Sequence, residues 1–83
     1  MSDPSAPLTG REVALLRATA AHRVELTCGR REPDLRVDSL PFCDYAAAWS
    51  VVNAGLIEPE SRAPAGHWVP ARLTAAGETA LTA

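Results

Sequence analysis

Ala54-Gly55-Leu56-Ile57, followed after a Pro/Gly-rich loop by Leu73-Thr74-Ala75-Ala76-Gly77-Glu78-Thr79-Ala80-Leu81, is the part of the chain whose reading decides the fold. Gly55 suits the left-handed residue that ends a helix, and Leu56 the apolar contact that folds back beside it. Leu56 to Pro59 then reads as a strand, Glu60-Ser61-Arg62-Ala63-Pro64-Ala65-Gly66 as a turn-forming loop, and His67 to Leu73 as the return strand. On that strand Val69, Ala71 and Leu73 share one face, and Trp68, Pro70 and Arg72 the other. Pro70 has no N–H to give to a ladder, so the strand is expected to be an edge at that point. Thr74 is a good cap for a last helix over residues 74–82.

Working back from Gly55, the helix it ends begins at Asp44, whose carboxylate suits a helix N-terminus. Helical geometry splits residues 44–54 into two stripes. Ala47, Ala48, Val51 and Val52 form one; Tyr45, Trp49 and Asn53, one turn apart, form the other, with Ala46 and Ser50 beside them. Both stripes are uncharged, so periodicity leaves two readings open for Tyr45 and Trp49. They are either core residues or an exposed recognition face.

At the other end of the chain, Thr9 and Glu12 have the spacing of a capping box, and Leu8 and Val13 that of a hydrophobic staple. Val13, Leu16 and Ala20 then recur at helical spacing, which predicts a scaffolding helix over residues 10–21. The intervening segment is read as a β-hairpin, 23–28 paired with 35–38. Val24, Leu26 and Cys28 alternate with polar residues, as do Leu35 and Val37, around the polar turn Gly29 to Asp34. A competing reading makes Pro33 the first residue of a short helix with Leu35 and Leu40 inward.

These elements amount to one α+β domain over residues 8–83, preceded by a Ser/Pro/Ala-rich tail, residues 1–7, that is expected to be disordered. A chain of 83 residues has no room for a second core, and a domain of this size buries only about 60% of its unfolded surface. All eight basic residues are Arg and the net charge is −2, which argues against a strong non-specific nucleic-acid binder. No apolar run approaches the roughly 20 residues of a membrane span, and no signal peptide opens the chain. The expected compartment is therefore the cytoplasm, with no membrane partner.

Cys28 and Cys43 lack the close spacing of a structural zinc pair, and His22 and His67 would join them only if the fold gathered all four. They are read as two small buried thiols, with no metal or cofactor expected. There is no Gly-rich phosphate loop and no nucleophile elbow. Cys43 beside Asp44 at a helix start would have its thiolate opposed by the carboxylate. The chain is not expected to be an enzyme.

The Gly55-Leu56-Ile57 helix stop and the Leu73-Thr74-x-x-Gly77 restart, separated by a wing-length hairpin, resemble the back half of winged-helix regulators, including the multiple-antibiotic-resistance-repressor type. The opening Leu8-Thr9-x-x-Glu12 run is also common in such domains. The resemblance covers a little under half the chain and implies a small winged-helix-like domain. Its three helices would span about 10–21, 44–54 and 74–82, its wing hairpin 56–59/67–73, and the hairpin 23–28/35–38 would be extra. In that family the helix ending at the glycine enters the DNA major groove and the wing touches the backbone. Carried over, Tyr45, Ala46, Trp49, Ser50 and Asn53 would face the groove, Arg62 and His67 would meet phosphate, and Arg30, Arg31 and Arg36 would add backbone contacts if their hairpin lies on the same side. The helix 44–54 holds no Arg or Lys, whereas Arg to guanine is the commonest specific contact.

Two functions follow. The first is a small DNA-binding protein acting as a transcriptional regulator on double-stranded DNA. The alternative is a winged-helix module that has lost its DNA contacts and binds a protein. A homodimer is open to either.

Overall fold

The computed structural model describes residues 8–29 and 33–82. The tail expected over residues 1–7, together with Arg30 and Arg31, lies outside them. The described residues form α1 (Gly10–Ala20), β1 (Val24–Thr27), β2 (Leu35–Val37), β3 (Leu40–Pro41), α2 (Tyr45–Asn53), β4 (Ile57–Pro59), β5 (Trp68–Leu73) and α3 (Ala75–Thr82). This is a small α+β domain in which a five-stranded antiparallel sheet, ordered β3-β2-β1-β5-β4, packs one face against the helices. No helix among the described residues is long and apolar enough to cross a membrane.

Local signals place each helix. Thr9 and Glu12 form the expected capping box, with the Glu12 amide donating to Thr9 Oγ1 (3.2 Å) and the Thr9 amide to Glu12 Oε1 (3.0 Å). α1 buries Leu15 and Leu16 and then stops at His22, which takes a left-handed φ of 61°. α2 is capped by Asp44, whose Oδ1 accepts from the Ala47 amide at 3.0 Å. It ends in a Schellman motif: the Gly55 amide donates to Val52 O and the Leu56 amide to Val51 O, both at 3.0 Å, with Gly55 at φ 72°.

The helix stop and the helix restart are physically one joint. The Thr74 amide donates to Leu56 O at 3.0 Å. The Thr74 hydroxyl donates to Gly55 O and also accepts from the Gly77 amide, capping α3. Gly77 sits over the same peptide: a Cβ there would stand 2.0 Å from Leu56 O. The glycine lets α3 lie directly on the turn that ends α2.

The segment between α1 and α2 is a hairpin, as the alternation predicts, and it gains a strand. Val24, Glu25 and Leu26 pair with Val37, Arg36 and Leu35, and β3 folds back on β2. The connecting residues Asp38 and Ser39 both have positive φ (53° and 66°), the geometry of a two-residue hairpin turn. The short-helix alternative fails here, because Leu40 is 69% exposed while Leu35 is buried.

β5 corrects the edge expectation. It is an inner strand, bonded to β1 on one side and β4 on the other. Pro70 is accommodated because its nitrogen points toward β4 beyond Pro59, that strand's last residue. There the Glu60 amide donates to Pro70 O and only the return bond is missing. The true edges, β3 and β4, each carry a proline, Pro41 and Pro59. The pairing register turns the position of the missing N–H of both toward the open side.

The core gathers Leu15, Leu16, Val24, Leu26, Leu35, Ala48, Val51, Leu56, Ile57 and Ala71. The opposite sheet face carries Glu25, Arg36, Glu58, Trp68, Pro70 and Arg72, all half-buried or exposed. Two ion pairs cross it, Arg36 to Glu25 (2.8 Å) and Arg72 to Glu58 (2.9 Å).

Candidate interaction face on the second helix

The two stripes of α2 part as helical geometry dictates. Ala47, Ala48 and Val51 are buried and Val52 is half-buried, and the small alanines let α2 pack against α1. Tyr45 (73% exposed), Ala46, Trp49 (44%) and Asn53 face solvent. Tyr45 and Trp49 are therefore surface residues. Together with Ala46, Val52 and the Pro33–Asp34 segment they line an open hollow of about 390 Å³.

Ser50 departs from the expected groove-facing set. Its hydroxyl donates to Glu12 Oε2 at 2.8 Å, so it ties α2 to α1. Asp44, at the head of the helix, is likewise engaged. The Ala47 amide and then Arg11, whose Nη1 lies 3.1 Å from Asp44 Oδ2, hold its carboxyl below the usual aspartate range. No charged side chain occupies Tyr45–Asn53.

The Ser50 contact gives Glu12 a measurable role. The Thr9 amide, followed by the Ser50 hydroxyl, favours the ionised carboxyl and lowers its pKa, against burial and the Asp44 charge. A lowered carboxyl pKa contributes stability that is complete above the unfolded-state value and is lost as pH falls through the folded-state value. The melting temperature of the wild type should therefore drop more steeply than that of Glu12→Gln on acidification below about pH 4.5. Parallel curves would remove Glu12 from the pH dependence. Truncation by Ser50→Ala should cost about 1 kcal/mol at neutral pH, read from urea melts.

The remaining sequence-predicted residues fall in two places. Arg62 and His67 are exposed in the β4–β5 loop. That loop is pinned to the end of β1: the Gly66 amide donates to Cys28 O (2.9 Å) and the Cys28 amide to His67 O (3.0 Å). Arg36 lies elsewhere. With Leu35 and Val37 turned to the helices, Arg36 projects from the opposite sheet face, where it stacks 4.3 Å over the Trp68 ring. It cannot meet a ligand seated on α2, because the sheet stands between them.

Arginine pairing shapes the surface field. Arg11, Arg23, Arg36 and Arg72 are in ion pairs with Asp44, Asp38, Glu25 and Glu58. Among the described residues this leaves Arg17 and Arg62 outside such pairs. Cys28 is buried as expected, whereas Cys43, expected to be buried too, is exposed beside the N-terminus of α2; both are free thiols. Among the described residues no group of three or more His, Cys, Asp or Glu side chains could hold a metal ion.

Alternation on β5 signalled that Trp68 faces away from the core, but not that Arg36 would cover it. Nothing local signalled the link between Glu12 and Ser50, which are 38 positions apart. Comparison with known protein families, curated proteins and solved structures finds no match to this chain.

Proposed function

We propose that this chain is a small interaction module that binds a protein partner through the exposed aromatic stripe of α2. One observation carries the reading: Tyr45 and Trp49 stand one turn apart in solvent on a helix without a cation. Tyr and Trp are enriched among the residues that dominate protein–protein binding. Duplex DNA binding instead draws much of its affinity from counterion release by several Lys or Arg contacts, and four described arginines are already paired within the chain. The order of α2, β4, β5 and α3 supports a winged-helix-like frame for this part of the chain. In the place of the helix that precedes the reading helix of a helix-turn-helix, this chain has β2 and β3.

Truncation of the stripe tests the reading. Trp49→Ala should keep the circular dichroism and melting profile of the wild type while weakening partner capture at least tenfold, as expected for a binding hot spot. Unchanged capture, or loss of the fold, would reject α2 as the binding face.

Double-stranded DNA remains a second reading, favoured by the continuity of the surface. Asp34, on the rim of the α2 hollow, is hydrogen-bonded to Thr27, whose neighbour Cys28 holds the loop that carries Arg62. On this reading the helix face and the wing share one end of the molecule, as a transcriptional regulator would need. Anisotropy with a mixed-sequence duplex at about 50 mM salt discriminates. Binding that falls steeply with added salt and weakens in Arg62→Ala would favour DNA, and no binding at low salt would leave the protein-partner reading alone.

A further inference from the structure

We infer that the partner seated on α2 is a second copy of this chain, held in a two-fold pair across Tyr45 and Trp49. The inference rests on the reading of α2 as a protein-binding face and names its occupant.

Three features carry it. The first is charge. A two-fold interface brings each surface against itself, so a charged patch would meet its own sign. The stripe Tyr45, Ala46, Trp49 and Asn53 is neutral, and the carboxylate at its head, Asp44, is compensated by Arg11 of the same chain.

The second is shape. An isologous contact needs a projection and a recess on the same patch. Tyr45 projects, at 73% exposure, and the hollow beside it is floored by the small or half-buried Ala46, Ala48 and Val52. Across a two-fold axis the ring of each copy enters the recess of the other.

The third is elimination of the usual alternative. Small sheet domains often self-associate by adding strands edge to edge. Here Pro41 and Pro59 on the two edge strands turn the position of the missing N–H outward, which leaves the helix face as the route.

α2 has nine residues, a length of about 13 Å. The interface is therefore at the small end of specific contacts, and the dimer should be a weak one.

Sedimentation equilibrium from about 5 µM to 1 mM, the range in which a weak pair forms, reads the association directly. The wild type should pass from monomer to dimer within it. Tyr45→Glu should dissociate at least tenfold more readily, because each copy would then place an ionised carboxylate in the apolar recess of the other. The new Glu stands in the first turn of an exposed helix, where negative charge is favourable, so its thermal melt should match the wild type. Concentration-dependent amide protection should map to residues 45–53 and leave β3 and β4 unchanged.

A wild type that stays monomeric to 1 mM, a Tyr45→Glu variant that dimerises as well as wild type, or protection at the sheet edges would each overturn the inference. If the wild type is monomeric while a different protein is captured through Trp49, self-pairing falls and the reading of α2 as a protein-binding face stands. If Trp49→Ala abolishes neither, that reading falls with it.

Discussion

Replacing Gly77 with alanine should remove a large share of the chain's stability. The added Cβ would stand 2.0 Å from Leu56 O and 3.0 Å from Leu56 C, and both are backbone atoms that no rotamer change can move. Either α3 lifts away, breaking the bonds from Thr74 to Leu56 O and Gly55 O, or the Schellman turn that ends α2 is pushed out of shape. Such overpacking against backbone should cost about 3 kcal/mol or more. A chain of 83 residues is expected to have only roughly 4–12 kcal/mol in total. Helix propensity predicts the opposite sign, since alanine improves on glycine by about 1 kcal/mol in a helix interior. Gly10, at the start of α1, has nothing within 4 Å of the equivalent Cβ position. Gly10→Ala should therefore be neutral or slightly stabilising. Urea melts of the two variants give the contrast, and a Gly77→Ala protein as stable as the wild type would show that the joint is not formed.

Leu16→Ala should have the next largest effect. Leu16 is fully buried at the centre of the core cluster. Its truncation should cost about 2–5 kcal/mol, the transfer term plus the cavity left behind. In a domain this small the variant should melt far below the wild type. Two further leucines calibrate the measurement. Leu35, buried on β2, should behave like Leu16, whereas Leu40, 69% exposed, should change stability by less than about 0.5 kcal/mol on truncation. If Leu40→Ala proved as damaging as Leu35→Ala, residues 33–40 would form the short inward helix and the third strand would be lost from the sheet. Differential scanning calorimetry of the three variants decides it.

What the sequence disclosed depended on how local the cause was. The capping residues Thr9, Asp44 and Thr74 and the stop at Gly55 act within one turn of chain, and all three helices begin, and α2 ends, within a residue or so of the positions they mark. Alternation located β1, β2 and the two faces of β5. β3 was missed because Asp38-Ser39 turns the chain with two positive φ values, where Asn-Gly or Asp-Gly is the usual signal. Which stripe of α2 faces inward was not decidable from periodicity, since both are uncharged. It is settled by volume: the alanine stripe fits close against α1, and the aromatic stripe does not. The partnership of Ser50 with Glu12 and the stacking of Arg36 on Trp68 depend on tertiary placement, which no local pattern encodes. The joint between Gly55-Leu56 and Thr74-Gly77 falls between these cases, because both halves were visible as separate signals and only their docking was not.

The prolines on the outer strands bear on how the domain fails. The two outer strands of the sheet, β3 and β4, face its neighbours in solution. Growth of a fibril needs an unbroken row of donors and acceptors on which the next chain can be templated. Pro41 and Pro59 interrupt that row on the two strands most open to capture. A neighbouring chain that meets either outer strand of the intact sheet therefore finds no continuous edge to copy.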